Sequence, residues 1–237
     1  MAREQQEQLP LLLGHRVARG IEDFLVASSN RPAVEWIERW PDWPFAALVV
    51  VGPQGSGKTH IAELWRARAD ALPLDIGRFD LEGAAETARR GVPVLMDDVD
   101  QALAGNPAAE LALLRLYNML RAVGGTMLLT AAKPPSGWRL GLADLLSRLN
   151  SAMVVEIAPP DDALLAAVAL KQFTDRQLMP ADGVIPFLLS HGERSFAAIA
   201  RSVAALDHAA LAEKRPVTVA LARDVLAEPE APGEAED

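Results

Sequence analysis

The chain contains no cysteine. That removes disulfides, zinc–thiolate centres and thiol nucleophiles together, and it suits a reducing compartment. It also lacks any apolar run near the ~18 residues that a bilayer span requires. Its first residues, MAREQQEQ, are polar, so a cytoplasmic protein without a membrane partner is expected. Basic charge is scarce: 23 Lys and Arg stand against 32 Asp and Glu, a net charge of −9, with no Lys/Arg block. A protein that grips DNA through its phosphates carries a basic face, so direct DNA binding is disfavoured. Five of the acids crowd into Glu228 to Asp237 beside two prolines and no base, the composition of a disordered tail.

Half of the 237 residues are hydrophobic, enough for one α/β core and a smaller appended domain. Four divisions follow from composition and periodicity. Residues 1–20 are a glutamine-rich start with an embedded leucine run. Residues 21–160 alternate apolar runs with helical stretches, the runs being Leu48–Val51, Val92–Met96, Met127–Thr130 and Met153–Ile157. Strands separated by helices imply βαβ units and a parallel sheet. Beyond Pro159-Pro160, residues 161–227 read as helix only. Asp161 or Asp162 is placed to cap the first of these helices. Phe196, Ile199, Ala200 and Val203 form an i, i+3, i+4, i+7 stripe, and Val219, Ala222 and Leu226 repeat it behind a Thr218 cap. Residues 228–237 are the acidic tail.

The sharpest motif is Gly52-Pro53-Gln54-Gly55-Ser56-Gly57-Lys58-Thr59, set between the strand Leu48–Val51 and a helix starting near His60. Strand, glycine-rich loop and helix together are the context this pattern needs. The glycines let successive N–H groups face a phosphate, and the helix adds its positive end. Lys58 would offset charge on the β and γ oxygens, and the Thr59 hydroxyl would ligate Mg²⁺. The ligand expected is therefore a purine nucleoside triphosphate or diphosphate (ATP or ADP) with magnesium. Such a site needs a carboxylate at the end of a neighbouring strand. Val94-Leu95-Met96 runs into Asp97-Asp98; Asp97 would hold the metal and Asp98 would polarise an attacking water. An acidic pair after an apolar run is by itself only a turn, and the phosphate loop gives it this meaning. Five Trp residues, Trp36, Trp40, Trp43, Trp65 and Trp138, are spread along the chain, which suits packing anchors better than a ligand cage.

Phe24-Leu-Val-Ala-Ser-Ser-Asn30, Gly57-Lys-Thr-His60 and Asp97-Asp98 resemble the replication initiator DnaA and its shorter relatives among the AAA+ ATPases. Leu146-Ser-Arg148-Leu149, Val154-Val-Glu-Ile157 and Ala158-Pro-Pro-Asp-Asp162 resemble the family segment with an arginine finger. Glu193-Arg194-Ser-Phe196 resembles its second sensor. The likeness spans roughly residues 8–227. It implies an AAA+ base domain, with a parallel sheet of about five strands and helices on both faces, followed by a small all-helical lid. It gives Arg148 the task of stabilising γ-phosphoryl charge in a neighbour's site, which a permanently charged, forked guanidinium suits. It places Arg194 on the chain's own nucleotide, makes Thr130 the first sensor, and adds His60 to the nucleotide contacts.

Full-length initiators continue into a DNA-binding domain, whereas this sequence stops about ten residues past its last expected helix, too few for a helix-turn-helix. Gln8-Leu9-Pro10-Leu11-Leu12-Leu13 resembles instead the peptide that docks replication proteins on the DNA polymerase sliding clamp. Its apolar side chains would fill a pocket while Gln8 bonds backbone at the rim. The resemblance thus implies a negative regulator of replication initiation that sits on the clamp and reaches DNA only through it. It would stimulate ATP hydrolysis by DnaA in trans, with weak or no turnover of its own; self-association stays open. The competing reading is an autonomous AAA+ ATPase of the helicase-loader type acting on DNA. A small-molecule kinase is less well supported, since Asp97-Asp98 suits water activation.

Overall fold

The computed structural model describes residues 24–77 and 81–227. The clamp-peptide residues Gln8, Leu9, Leu11, Leu12 and Leu13, and the acidic tail, lie outside them.

Helix α1 (Arg31–Arg39) opens with a proline in its first turn, where a missing N–H costs nothing. Strand β1 (Ala47–Val51) leads through the glycine-rich loop into α2 (Lys58–Ala69). Then come β2 (Leu72–Pro73), α3 (Leu81–Arg90), β3 (Val94–Met96), α4 (Val99–Leu103), α5 (Pro107–Ala122), β4 (Met127–Ala131), α6 (Ala143–Asn150) and β5 (Met153–Glu156). The five strands form one sheet in the order β2-β3-β4-β1-β5, every pair parallel. Each expected strand is present; β1 and β4 run one residue longer than expected, and β3 and β5 are shorter. Val92 and Pro93 fall outside β3, because Pro93 has no N–H to give; its carbonyl accepts from Leu72 N at 2.8 Å instead. The sequence pattern missed β2, which is two residues long.

Strand alternation divides the core between two faces. Val49, Val51, Val94, Met96 and Leu129 face α3 to α6, meeting Leu103, Leu113, Leu116 and Leu149. Leu48, Val50, Leu95 and Leu128 face α1 and α2, meeting Ile37, Ile61 and Trp65. Spread out in sequence, four of the five tryptophans gather on this second face. Trp43 stacks on Trp65 at 5.3 Å, Trp40 meets Trp65 edge-on at 6.3 Å, and Trp36 meets Phe45 at 5.0 Å. They are packing anchors, with the Trp43 indole N–H donating to the Trp36 carbonyl at 2.7 Å.

The lid consists of α7 (Asp162–Asp175), α8 (Val184–His191), α9 (Phe196–Glu213) and α10 (Val219–Ala227) around Leu165, Phe173, Leu188, Val203, Leu206 and Leu221. Of the two candidate caps, Asp161 does the work, accepting from Leu164 N at 2.8 Å. Thr218 Oγ1 accepts from Leu221 N at 3.3 Å at the start of α10. Among the described residues no helix is long and apolar enough to cross a membrane.

Candidate phosphate site and its lid

In a parallel sheet, ligands gather at the carboxyl ends of the strands. Three strands deliver polar groups there. β1 ends in the loop Gly52–Thr59, β3 ends at Asp97-Asp98, and Thr130 is the penultimate residue of β4. Gly52 N donates to Ala131 O at 3.2 Å, tying the loop's first residue to β4. Gly55 and Gly57 have φ of +76° and +94°, values that cost side-chain-bearing residues strain.

The side chains interlock. Lys58 is buried, and its Nζ donates to Pro53 O across the loop at 3.1 Å. Thr59 Oγ1 donates to Asp97 Oδ2 at 2.8 Å. The fully buried Thr130 hydroxyl donates to Asp97 Oδ1 and accepts the Asp98 backbone N–H at 2.9 Å. One hydroxyl therefore holds both acids in place. Asp98 itself takes a left-handed conformation, φ 47° and ψ 44°, which Asp tolerates better than most residues. Partial loss of hydration, and then the Asp97 charge beside it, push its carboxyl above the ordinary value, while Lys58 pulls the other way. Asp97 and Thr59 thus offer adjacent oxygens, fitting a hard cation held by few protein ligands. Among the described residues no cluster of three His, Cys, Asp or Glu could form a protein-only metal cage.

Beside the loop lies a cavity of about 320 Å³. One wall is Phe24, Leu25 and Asn30; the floor is Ser56, Gly57 and His60; the lid closes it with Leu164, Val168, Phe196 and Ala200. Asn30, 3% exposed, shapes the first wall by accepting from Ala27 N at 2.8 Å and donating to Leu25 O at 3.0 Å. The His60 ring stacks on Phe24 at 5.3 Å. Partial loss of hydration lowers its pKa below the usual imidazole value, which favours the neutral ring. The lid sits directly on the phosphate loop. A methyl group at Gly55 would lie 2.8 Å from Ser195 Cβ, and one at Gly57 would lie 3.0 Å from the Phe196 ring. Of this wall the sequence had marked Phe24 to Asn30 and Phe196; Leu164 and Val168 carry no signal beyond helical spacing.

The two arginines stand elsewhere. Arg194, just ahead of α9, pairs with Asp162 at 3.1 Å, largely exposed, and does not line the cavity. Arg148 lies in the last turn of α6, half-buried; its carbonyl accepts from Ser151 Oγ at 2.7 Å, but its guanidinium has no hydrogen bond or ion pair among the described residues. Pro53 and Gln54 form the exposed rim of the loop.

Residues 162–226 match the family model described as Hda, lid domain. The fold is similar to domain III of the Thermotoga maritima replication initiation protein DnaA, with TM-score 0.72 and 18% identity, covering 88% of this chain and 95% of that one. AMPPCP-bound DnaA from Aquifex aeolicus matches with TM-score 0.64 and 20% identity over 77% of this chain and 63% of that one. A variant of Thermotoga maritima RuvB matches with TM-score 0.69 and 11% identity over 88% and 71%. The described chain thus has the AAA+ fold of DnaA domain III, and its helical domain matches the Hda lid family.

Proposed function

We propose that this chain is a nucleotide-dependent regulator of replication initiation of the Hda kind, which promotes ATP hydrolysis in DnaA by lending it Arg148. The observation that carries this reading is Arg148 itself: a cation at a helix end whose guanidinium no acceptor among the described residues engages, on a molecule whose lid matches Hda. A guanidinium given to a neighbour's γ-phosphoryl group stabilises charge as it develops in the transition state and is worth about 10³–10⁵ in rate.

In its own site the chain would hold ADP or ATP. Lys58 has a single neutral carbonyl as partner and keeps donors for phosphate oxygens. Ser56 Oγ is buried in the loop without a partner. Asp97 and Thr59 would hold Mg²⁺, which when bound offsets phosphate charge. The cavity between Phe24 and Phe196 has the size and the apolar lining for a purine base. Here the nucleotide works as a wedge between base and lid, keeping α9 seated. The peptide Gln8–Leu13 would dock the chain on the sliding clamp, which brings it to DNA without a basic face.

The test is DnaA ATPase activity with this protein and DNA-loaded clamp, omitting each component in turn. Stimulation that needs all three is expected; equal stimulation without the clamp sinks the docking role. Replacing Gln8 and Leu9 by Ala should abolish clamp association. A second reading, an autonomous ATPase of the helicase-loader type, draws on the joined set Lys58, Thr59, Asp97 and Asp98. DNA-stimulated turnover by this protein alone would favour it.

A further inference from the structure

Among the described residues, Glu110 is the buried charged residue of the base domain that this function leaves unused. It lies in the first turn of α5, on the stripe that buries Leu113 and Tyr117, and is itself 3% exposed. A buried carboxylate is costly unless donors surround it. Among the described residues no Lys or Arg pairs with it. Its two oxygens go instead to backbone N–H groups of one distant segment: Oε1 accepts from Gly141 N at 3.1 Å and Oε2 from Leu142 N at 2.8 Å. Leu142 is the residue that opens α6, and its own side chain cannot cap the helix. The acid of α5 therefore supplies the acceptors, and places negative charge at the positive end of α6.

We propose that Glu110 is a positioning residue for Arg148, fixing the angle at which α6 carries the guanidinium to its target. This rests on the role given to Arg148 above. Two anchors orient α6. Leu145 and Leu149, fully buried, set its rotation against the core; Glu110 sets its starting point. Arg148 lies six residues beyond Leu142, about 9 Å along the axis at helical rise. A tilt of about 10° would move its Cα by roughly 1.5 Å, and the guanidinium further, outside the tolerance of a catalytic group. A misplacement of about 1 Å can cost 10²-fold in rate. With the Glu110 contacts gone, α6 would be held by side-chain packing alone, chiefly its two buried leucines, and would be free to rock about them.

The test uses the full chain with clamp and ATP-loaded DnaA. Glu110→Gln keeps the shape and one acceptor but places an amide N–H₂ against a backbone donor. Expected are an about 10- to 100-fold fall in the maximal stimulated rate, an unchanged concentration for half-maximal stimulation, unchanged nucleotide affinity, and faster hydrogen exchange at the Gly141 and Leu142 amides. In an Arg148→Ala background Glu110→Gln should cost nothing more. Wild-type maximal stimulation by Glu110→Gln, or the same loss repeated on top of Arg148→Ala, overturns the proposal. If Glu110→Gln does not fold, Glu110→Asp, which keeps the charge on a shorter arm, is read the same way. Full stimulation by Arg148→Ala alone would instead remove the arginine's role, a result distinguishable from failure at Glu110, where Arg148→Ala is inactive and Glu110→Gln is not.

Discussion

Around the phosphate loop the chain answers its own charges: Pro53 O takes the Lys58 ammonium, and Thr59 and Thr130 take both oxygens of Asp97. At the end of α6 the opposite holds, for among the described residues the Arg148 guanidinium has no acceptor, while buried Glu110 bonds the backbone at the helix start. The two regions share one sheet and one core cluster, in which Leu145 and Leu149 of α6 touch the same interior as Val51 and Met96. The difference teaches which site is complete within the chain. The phosphate loop is preorganised for a small ligand. In the proposed role, Arg148 becomes useful when another molecule brings the acceptor.

Four substitutions would break or sharpen that contrast. Arg148→Ala should lower the stimulated DnaA hydrolysis rate by about 10³-fold or more while nucleotide affinity, measured by fluorescence titration, stays the same. Unaltered stimulation would void the division of labour. Lys58→Ala strikes the other region. It removes a charge-assisted contact worth about 2–3 kcal/mol, so nucleotide affinity should fall roughly 30- to 150-fold by calorimetry. Stimulation should recover in part at saturating nucleotide, which it would not do for Arg148→Ala.

Gly55→Ala combines a disfavoured φ with a methyl group driven onto Ser195 Cβ. It should destabilise the lid-closed form by roughly 1–2 kcal/mol, seen as raised proteolytic sensitivity of the lid. A wild-type digestion pattern would mean that the loop and lid do not bear on one another.

Asp98→Asn should have the smallest effect. The folded-state pKa of Asp98 lies above its unfolded value, so this group favours the folded state below the unfolded pKa, and that contribution is lost as pH rises through the raised value. At pH 7 the ionised acid is therefore a slight liability, and the asparagine variant should melt on the order of 1 °C higher. The gain should vanish as the pH approaches 4. A gain independent of pH would point to backbone conformation rather than charge.

Much of this arrangement was legible in the residues, and what was not has physical causes. The phosphate loop, Asp97 and Thr130 could be read because each ends a strand of β-branched or apolar residues, and the structure brings all three to one edge. The caps Asp161 and Thr218 were legible for the same local reason. β2 was not, because two residues ending in proline carry no periodicity. Glu110 was missed, although a signal existed: an acid on the buried stripe of an otherwise apolar helix. Its partners lie 31 and 32 residues away, and no local pattern announces them. The expected seat of Arg194 depended on how a flanking residue turns at a helix start. In the structure it faces Asp162, while the part of α9 over the cavity is Phe196, Ala197 and Ala200.

The unread strand β2 has a consequence of its own. An open parallel sheet has two flanks, and an exposed flank recruits further strands into fibres or swapped assemblies. Here one flank is two residues long and closes with a residue that cannot donate, while α1 packs against β5 at the other. Growth by sheet extension is blocked at the proline flank.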